Sequence, residues 1–212
     1  TESAKAGKFR GIGVSNTIER AAAAGIEAAE IRVDRGGSVT IMSGSCTQGQ
    51  GHETVFKQIV CDRLGLKPED VNYVWGDTDK VAFGHGTGGS RSATLGGSAV
   101  MMATDKVIEK ARKIAAHQLE AADEDIVFNE GTFSVTGTDR TIKFGDIAKS
   151  AADPGKIPED MEPGLNEDAT YTATIMNYPN GCHVCEIEID PDTGVVDVLN
   201  YNVVDDVGTV MN

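Results

Sequence analysis

Val100, Ala103, Val107, Ala111 and Ile114 fall on one face at helical spacing, which predicts an amphipathic helix lasting to about Ala121. A helix of this length with one apolar stripe must bury it against another layer. The rest of the sequence supplies that layer as short alternating segments. "KFRGIGVSNTIE" reads as a strand. "AAEIRVDRGGSVTIMSG" reads as a hairpin around an "RGGS" turn, and "DIVFNEGTFSVTG" as a second hairpin. "EDVNYVWGDTD" is a short strand that leaves by an acidic turn. Strands follow around "DPDTG" near the end of the chain. A second helix runs from about His52, with Phe56, Ile59, Val60 and Leu64 on one face, and stops at Gly65. "KFGDIAKSA" predicts a short third helix. "DPGKIPEDMEPGLNED" reads as an acidic linker or exposed excursion. The pattern is hairpin plus helix, twice. It predicts an α+β fold with helices packed on a mostly antiparallel sheet, as one domain over residues 1–212 with possible sub-lobes 1–122 and 123–212.

A formal net charge of −14 argues against a nucleic-acid partner, because phosphate binding needs a basic face. No apolar run reaches the length of a membrane span, and the first residues, "TESAKAGKFR", hold no apolar segment of the kind a secretory leader needs. Cys46, Cys61, Cys182 and Cys185 are few and scattered, which suits a reducing compartment and points to the cytoplasm. "CHVC" lies in a strand-like run, where positions i and i+3 face opposite sides, so a metal pair or redox disulfide is not expected there. Thr1 in place of a start methionine suggests a trimmed or excised piece.

Two glycine-rich loops each open a helix. The first is "TQGQGHE". The second, "GHGTGGSRSATLGGSAV" from Gly84 to Val100, holds six glycines and five Ser/Thr hydroxyls around one arginine, a cost in folding entropy that calls for a reason. Unpaired backbone N–H groups at a helix N-terminus form a ready anion site, and glycine lets the backbone approach a ligand closely. Ser90, Ser92 and Thr87 can add hydroxyl donors, and Arg91 a forked contact. Taken singly, each loop reads equally well as turn and capping chemistry. Gly84, Gly86 and Gly89 spell GxGxxG, but no βαβ pattern surrounds them, and the absence of GK[ST] excludes a Walker A loop. His85 reads as a polar loop residue, His183 as packed or hydrogen-bonded in its strand, and His117 as solvated. Asp77 and Asp79 read as capping carboxylates rather than cation ligands. No metal ligand is assigned.

In order and spacing, "SGSCTQGQGHET", "GDTDKVAFGHGTGGSRSATLGGSA" and "GCHVCEIEIDPDTGVVDVLNYNVVDDVGTVMN" resemble the large, molybdenum-binding subunit of the xanthine dehydrogenase and aldehyde oxidase family. The likeness covers nearly the whole chain and is greater to the bacterial branch that includes aerobic carbon monoxide dehydrogenase large subunits. The resemblance implies one lobe of a molybdopterin-cofactor-binding domain. It implies that Gly49, Gln50 and Gly51, with Gly89, Ser90, Arg91 and Ser92, hold a molybdopterin dinucleotide with molybdenum, in bacterial members usually the cytosine form. The chemistry implied is hydroxylation with water of an aldehyde, an N-heterocycle or carbon monoxide, with a glutamate of a "GxGE" motif as base. No such motif occurs in this chain, so no catalytic residue is assigned and the isolated chain is expected to be inactive and poor in cofactor. The implied partners are the remainder of the large subunit and the iron–sulfur and FAD subunits or domains of a holoenzyme. The alternative is a free-standing, non-catalytic phosphate- or dinucleotide-binding domain.

Overall fold

The computed structural model describes residues 2–22 and 25–210. Thr1 and the last two residues of the C-terminal segment quoted above, Met211 and Asn212, lie outside the described residues. The elements are α1 (Glu2–Lys5), β1 (Phe9–Ile18), β2 (Gly25–Val33), β3 (Val39–Ser43), α2 (His52–Leu64), β4 (Val71–Val74), α3 (Gly97–Leu119), β5 (Ile126–Asn129), β6 (Thr132–Val135), β7 (Thr141–Lys143), α4 (Phe144–Ser150), β8 (Glu167–Ala173), β9 (Asn180–Ile189) and β10 (Val196–Asp206). They divide into two compact units. One gathers the residues up to Ala21 and those from Met176; the other runs from Ala22 to Ile175. The junction between residues 122 and 123 falls inside the second unit.

The second unit is the α+β layer structure that the periodicity predicts. Its main sheet has the order β4-β3-β2-β8. β2 pairs antiparallel with both β3 and β8, and only the β3–β4 pair is parallel. α2 and α3 pack on this sheet. Ile31, Val39 and Ile41 from the strands meet Phe56, Val60 and Leu64 from α2 and Val100, Ala103, Val107, Ala111 and Ile114 from α3. All five residues of the predicted α3 stripe are buried. α3 ends two residues earlier than its pattern suggested, because Glu120 turns left-handed (φ 49°) and closes the helix. The second hairpin forms as β5–β6 and is extended by the three-residue β7, which the alternation did not reveal.

The acidic segment after α4 is more than a linker. Ile157 and Leu165 are buried in the core, Gly164 N–H donates to Ala151 O at 2.7 Å, and Glu167 and Asp168 already belong to β8. Its charges face out while its two aliphatic side chains pin it down.

The first unit holds α1 and a single antiparallel sheet of order β1-β9-β10. Its ladder is long: Phe9 pairs with Ile189 and Ile18 with Asn180, and Val196 to Asp206 run back along β9 with one irregularity between Val198 and Asn200. The "DPDTG" turn joins β9 to β10, and the Asp190 carboxylate accepts the N–H groups of Asp192 and Thr193. All residues of β1 and β10 are exposed.

Candidate functional site

The two glycine loops run side by side in the second unit. Residues 44–51 leave β3 and enter α2; residues 84–91 lead into a π-helical turn, Ser92–Gly96, that continues as α3. Such turns recur at functional sites. The loops cross at Gly44 and Gly84. A Cβ on Gly44 would stand 2.2 Å from the Gly84 Cα, so neither position has room for a side chain. Next to the crossing, Thr87 Oγ1 donates to Cys46 O at 2.6 Å and lies 3.1 Å from Ser92 Oγ. Tyr73 hydroxyl donates to Ser45 O at 2.6 Å from below. Burial pushes the Tyr73 phenol well up, so it remains a donor at any working pH. A Cβ on Gly96 would fall 2.7 Å from Ser45 Oγ and 3.1 Å from the Phe56 ring. Gly96 is therefore a packing glycine, which lets α3 begin against the first loop.

Other glycines of the loops serve a different purpose. Gly49, Gly51, Gly86, Gly88 and Gly89 would meet nothing within 4 Å if given a Cβ. Gly49 (φ 99°), Gly51 (φ 81°) and Gly89 (φ 63°) are left-handed, and so is Ser90 (φ 53°), a conformation that is uncommon outside glycine. Two consecutive left-handed residues at 89 and 90 re-aim the backbone just before the helix. The glycines of the second loop thus divide into those that close the fold and those that leave the backbone open to a ligand.

The residues singled out in the sequence take distinct positions. Gln50 is exposed on the outer arm of the first loop, and its Oε1 accepts Gln48 N–H at 2.5 Å. Ser90 is exposed, and its carbonyl accepts Ala22 N–H at 3.3 Å. Ser92 is buried and opens the π-helical turn. Arg91 turns inward: Nη2 donates to Ile26 O at 2.5 Å and lies 3.5 Å from Glu27 Oε2. The link between the loops runs through Gly44 and Cys46 on one side and Gly84 and Thr87 on the other, while Gln50 is bonded within its own loop.

Two residues at the site escaped the sequence reading. His52 is the first residue of α2. It is buried, stacked on Phe56 with ring centroids 5.6 Å apart, and burial holds its imidazole below the usual value. Its Nδ1, Ser45 Oγ and Arg91 Nε are buried with no partner. Orphaned buried polar atoms are uncommon in native structures, and three of them around one pair of loops suit a site that takes a polar ligand. The second residue is Glu27, which is fully buried. It sits on the apolar face of β2 with Ala29 and Ile31, a break in alternation that the sequence did contain.

The remaining candidates hold no ligand-like geometry. His85 faces Ile26 O at 3.3 Å and packs edge-on to Phe83. His183 bonds Tyr201 hydroxyl at 3.1 Å, and His117 is exposed. Asp77 caps its own turn through Asp79 N–H and pairs with Lys80 at 2.8 Å. Among the described residues no group of three or more His, Cys, Asp or Glu side chains could hold a metal ion, and no helix is long and apolar enough to cross a membrane.

Two crossed glycine loops with open space at several glycines, a buried hydroxyl and orphaned polar groups at two helix starts are features that suit a bulky polar ligand. The chain belongs to the molybdopterin cofactor-binding domain family, which it matches over residues 1–212. It is 39% identical over 97% of its length to the 6-hydroxypseudooxynicotine dehydrogenase complex subunit gamma of Paenarthrobacter nicotinovorans, of which it covers 26%. It is 37% identical over 95% of its length to the carbon monoxide dehydrogenase large chain of Afipia carboxidovorans, covering 25% of that protein. Its whole length superposes on quinoline 2-oxidoreductase from Pseudomonas putida 86 with a TM-score of 0.85 and 31% identity, covering 28% of that chain. The chain thus spans about a quarter of the length of these relatives.

Proposed function

We propose that this chain is the cofactor-gripping region of a molybdenum hydroxylase large subunit, and that residues 44–51 and 84–92 hold a molybdopterin dinucleotide in its cytosine form. The observation that carries the reading is the loop crossing at Gly44 and Gly84, tied by the Thr87–Cys46 hydrogen bond, with Gly49, Gly51 and Gly89 left-handed and open beside it. In this reading Gly49, Gln50 and Gly51 contact the pterin side through backbone N–H groups and the Gln50 amide. Gly89, Ser90, Arg91 and Ser92 take the diphosphate. With a net charge of −14 and Arg91 Nη2 committed to Ile26 and Glu27, the anion is held chiefly by N–H groups and hydroxyls rather than by free cations. Arg91 contributes its N–H and its place in the loop.

Bound there, molybdopterin would carry molybdenum as the redox centre for water-dependent oxidation of an aldehyde, an N-heterocycle or carbon monoxide. The work of these residues is binding, orientation and exclusion of water. The similar proteins are named for different substrates, 6-hydroxypseudooxynicotine, carbon monoxide and quinoline, which supports a segment that grips the cofactor while substrate choice lies elsewhere. The remainder of the large subunit and iron–sulfur and FAD subunits complete the enzyme in the cytoplasm, and the isolated chain does not turn over. The relatives carry this segment as about a quarter of a longer chain, which favours this reading over a free-standing dinucleotide-binding domain.

The test is Gln50→Ala and Ser92→Ala in the full-length protein, with molybdenum measured by mass spectrometry and folding by circular dichroism. Both variants should lose metal and activity together while keeping the fold. Full molybdenum loading and full turnover in both would refute the placement.

A further inference from the structure

Glu27 is a carboxylate on the core face of β2, 0% exposed, in line with Ala29 and Ile31. A buried anion persists only where something nearby compensates it. Here the compensating group is Arg91, the cation of the second glycine loop, whose Nη2 lies 3.5 Å from Glu27 Oε2 and donates to the carbonyl of Ile26 on the same strand. The other oxygen, Oε1, accepts Ala28 N–H at 3.3 Å. The same Oε1 stands 2.9 Å from the place a Cβ would occupy on Gly44, and 2.9 Å from that on Gly84. One carboxylate therefore occupies the space a side chain would need at either glycine of the crossing and faces the charged side chain of the second loop.

We propose that Glu27 is a positioning residue that fixes the two glycine loops in register through the buried Glu27–Arg91 pair. The ligand consequence rests on the cofactor reading above. Arg91 on its loop has two options, outward to solvent or inward to β2. The carboxylate at 27 decides between them, because in a low-dielectric surrounding the pair is far stronger than in water. With Arg91 inward, residues 89 and 90 keep their left-handed backbone and the Thr87–Cys46 bond stays aligned. A core residue that merely fills space would do the same job as a neutral isostere. A charge that orders a loop would not.

The experiment uses the full-length protein, freed of cofactor, with E27Q, R91M and the E27Q/R91M double variant, and hydrogen exchange read segment by segment. E27Q should speed exchange in residues 84–92 and 44–51 by about a hundredfold or more, the low end of what breaking a buried charge pair costs. Exchange in α3 should be unchanged. The double variant, which removes both charges, should recover much of the loop protection. Should E27Q not fold, E27D keeps the charge but shortens its reach, and the same loops should loosen. Unchanged loop exchange in E27Q, or a double variant no better than E27Q, would overturn the proposal. Molybdopterin content, measured on each protein as purified and before the cofactor is removed, separates this from the cofactor reading: loops that loosen in E27Q while the content stays at the wild-type level leave the positioning role standing and remove the cofactor from these loops.

Discussion

The two units of this chain solve the same problem in opposite ways. The unit from Ala22 to Ile175 buries its apolar stripes against one another, with Phe56, Ile31, Ile41, Val107 and Ile114 at 0% exposure. The unit built from β1, β9 and β10 leaves Phe9, Ile12, Val14, Ile18, Val198, Tyr201 and Val204 exposed, Val204 by 76%. Its cohesion lies in the backbone ladder and in ion pairs across it. Arg10 meets Glu186, and Lys8 meets Glu188 at 2.9 Å. Three strands without a covering layer sit at the lower limit of independent stability, and surface ion pairs contribute little. The difference teaches that the glycine loops stand on a self-supporting scaffold, whereas the long sheet carries apolar surface that its own unit does not bury.

The largest expected effect breaks this contrast if it fails. Phe56→Ala should destabilise the second unit by about 3–5 kcal/mol, because it empties a fully buried site between α2, the start of α3 and Tyr73 of β4. Val198→Ala on the exposed sheet should change stability by about 0.5 kcal/mol or less. Denaturant unfolding read by unit-specific probes gives both numbers, and equal losses would end the distinction. A smaller effect is expected at the loop crossing. Gly84→Ala forces a methyl group onto Gly44 backbone and should cost about 1–3 kcal/mol. It should also lower cofactor content, which Val198→Ala should not.

Much of this scaffold was legible in the sequence, and the reasons are local. The α3 stripe and the β2–β3 hairpin imprint their burial on spacings of 3.6 and 2, so Val107 and Ile41 announce themselves. The partner of β1 does not. Phe9 pairs with Ile189, far along the chain, and no local spacing encodes that register. β7 is only Thr141–Lys143, too short for an alternating pattern. At the site, the glycine loops were visible as composition, but the division of labour among the glycines depends on contacts such as Gly44 with Gly84. Glu27 was visible as a charge on an apolar face, yet its meaning required Arg91, which lies on another loop. The inward turn of Arg91 was hidden for the same reason.

The smallest effect is a pair of pH windows. In the second unit, burial lowers the His52 pKa below its ordinary 6.5, so the unfolded chain binds a proton before the folded one does. Stability there should fall as pH drops below about 6.5, and His52→Gln should flatten that slope. In the first unit, the Asn200 side-chain amide and Arg10 hold Glu186 below its ordinary 4.5, and Ser3 and Lys8 do the same for Glu188. Stability from those carboxylates is present above that value and fades as pH falls through the folded pKa. Thermal unfolding of each unit across about pH 3 to 8, which spans ordinary carboxylate and imidazole values, should show the second unit responding first as pH falls. Coincident pH profiles would mean that His52 does not govern the difference.

Hydrogen exchange of the full-length protein, with and without its molybdopterin, tests the central claim most directly. Cofactor held between the crossed loops should add protection in residues 44–51 and 84–92 and leave β10 unchanged. Protection gained along β1, β9 and β10 with both glycine loops unaltered would contradict it.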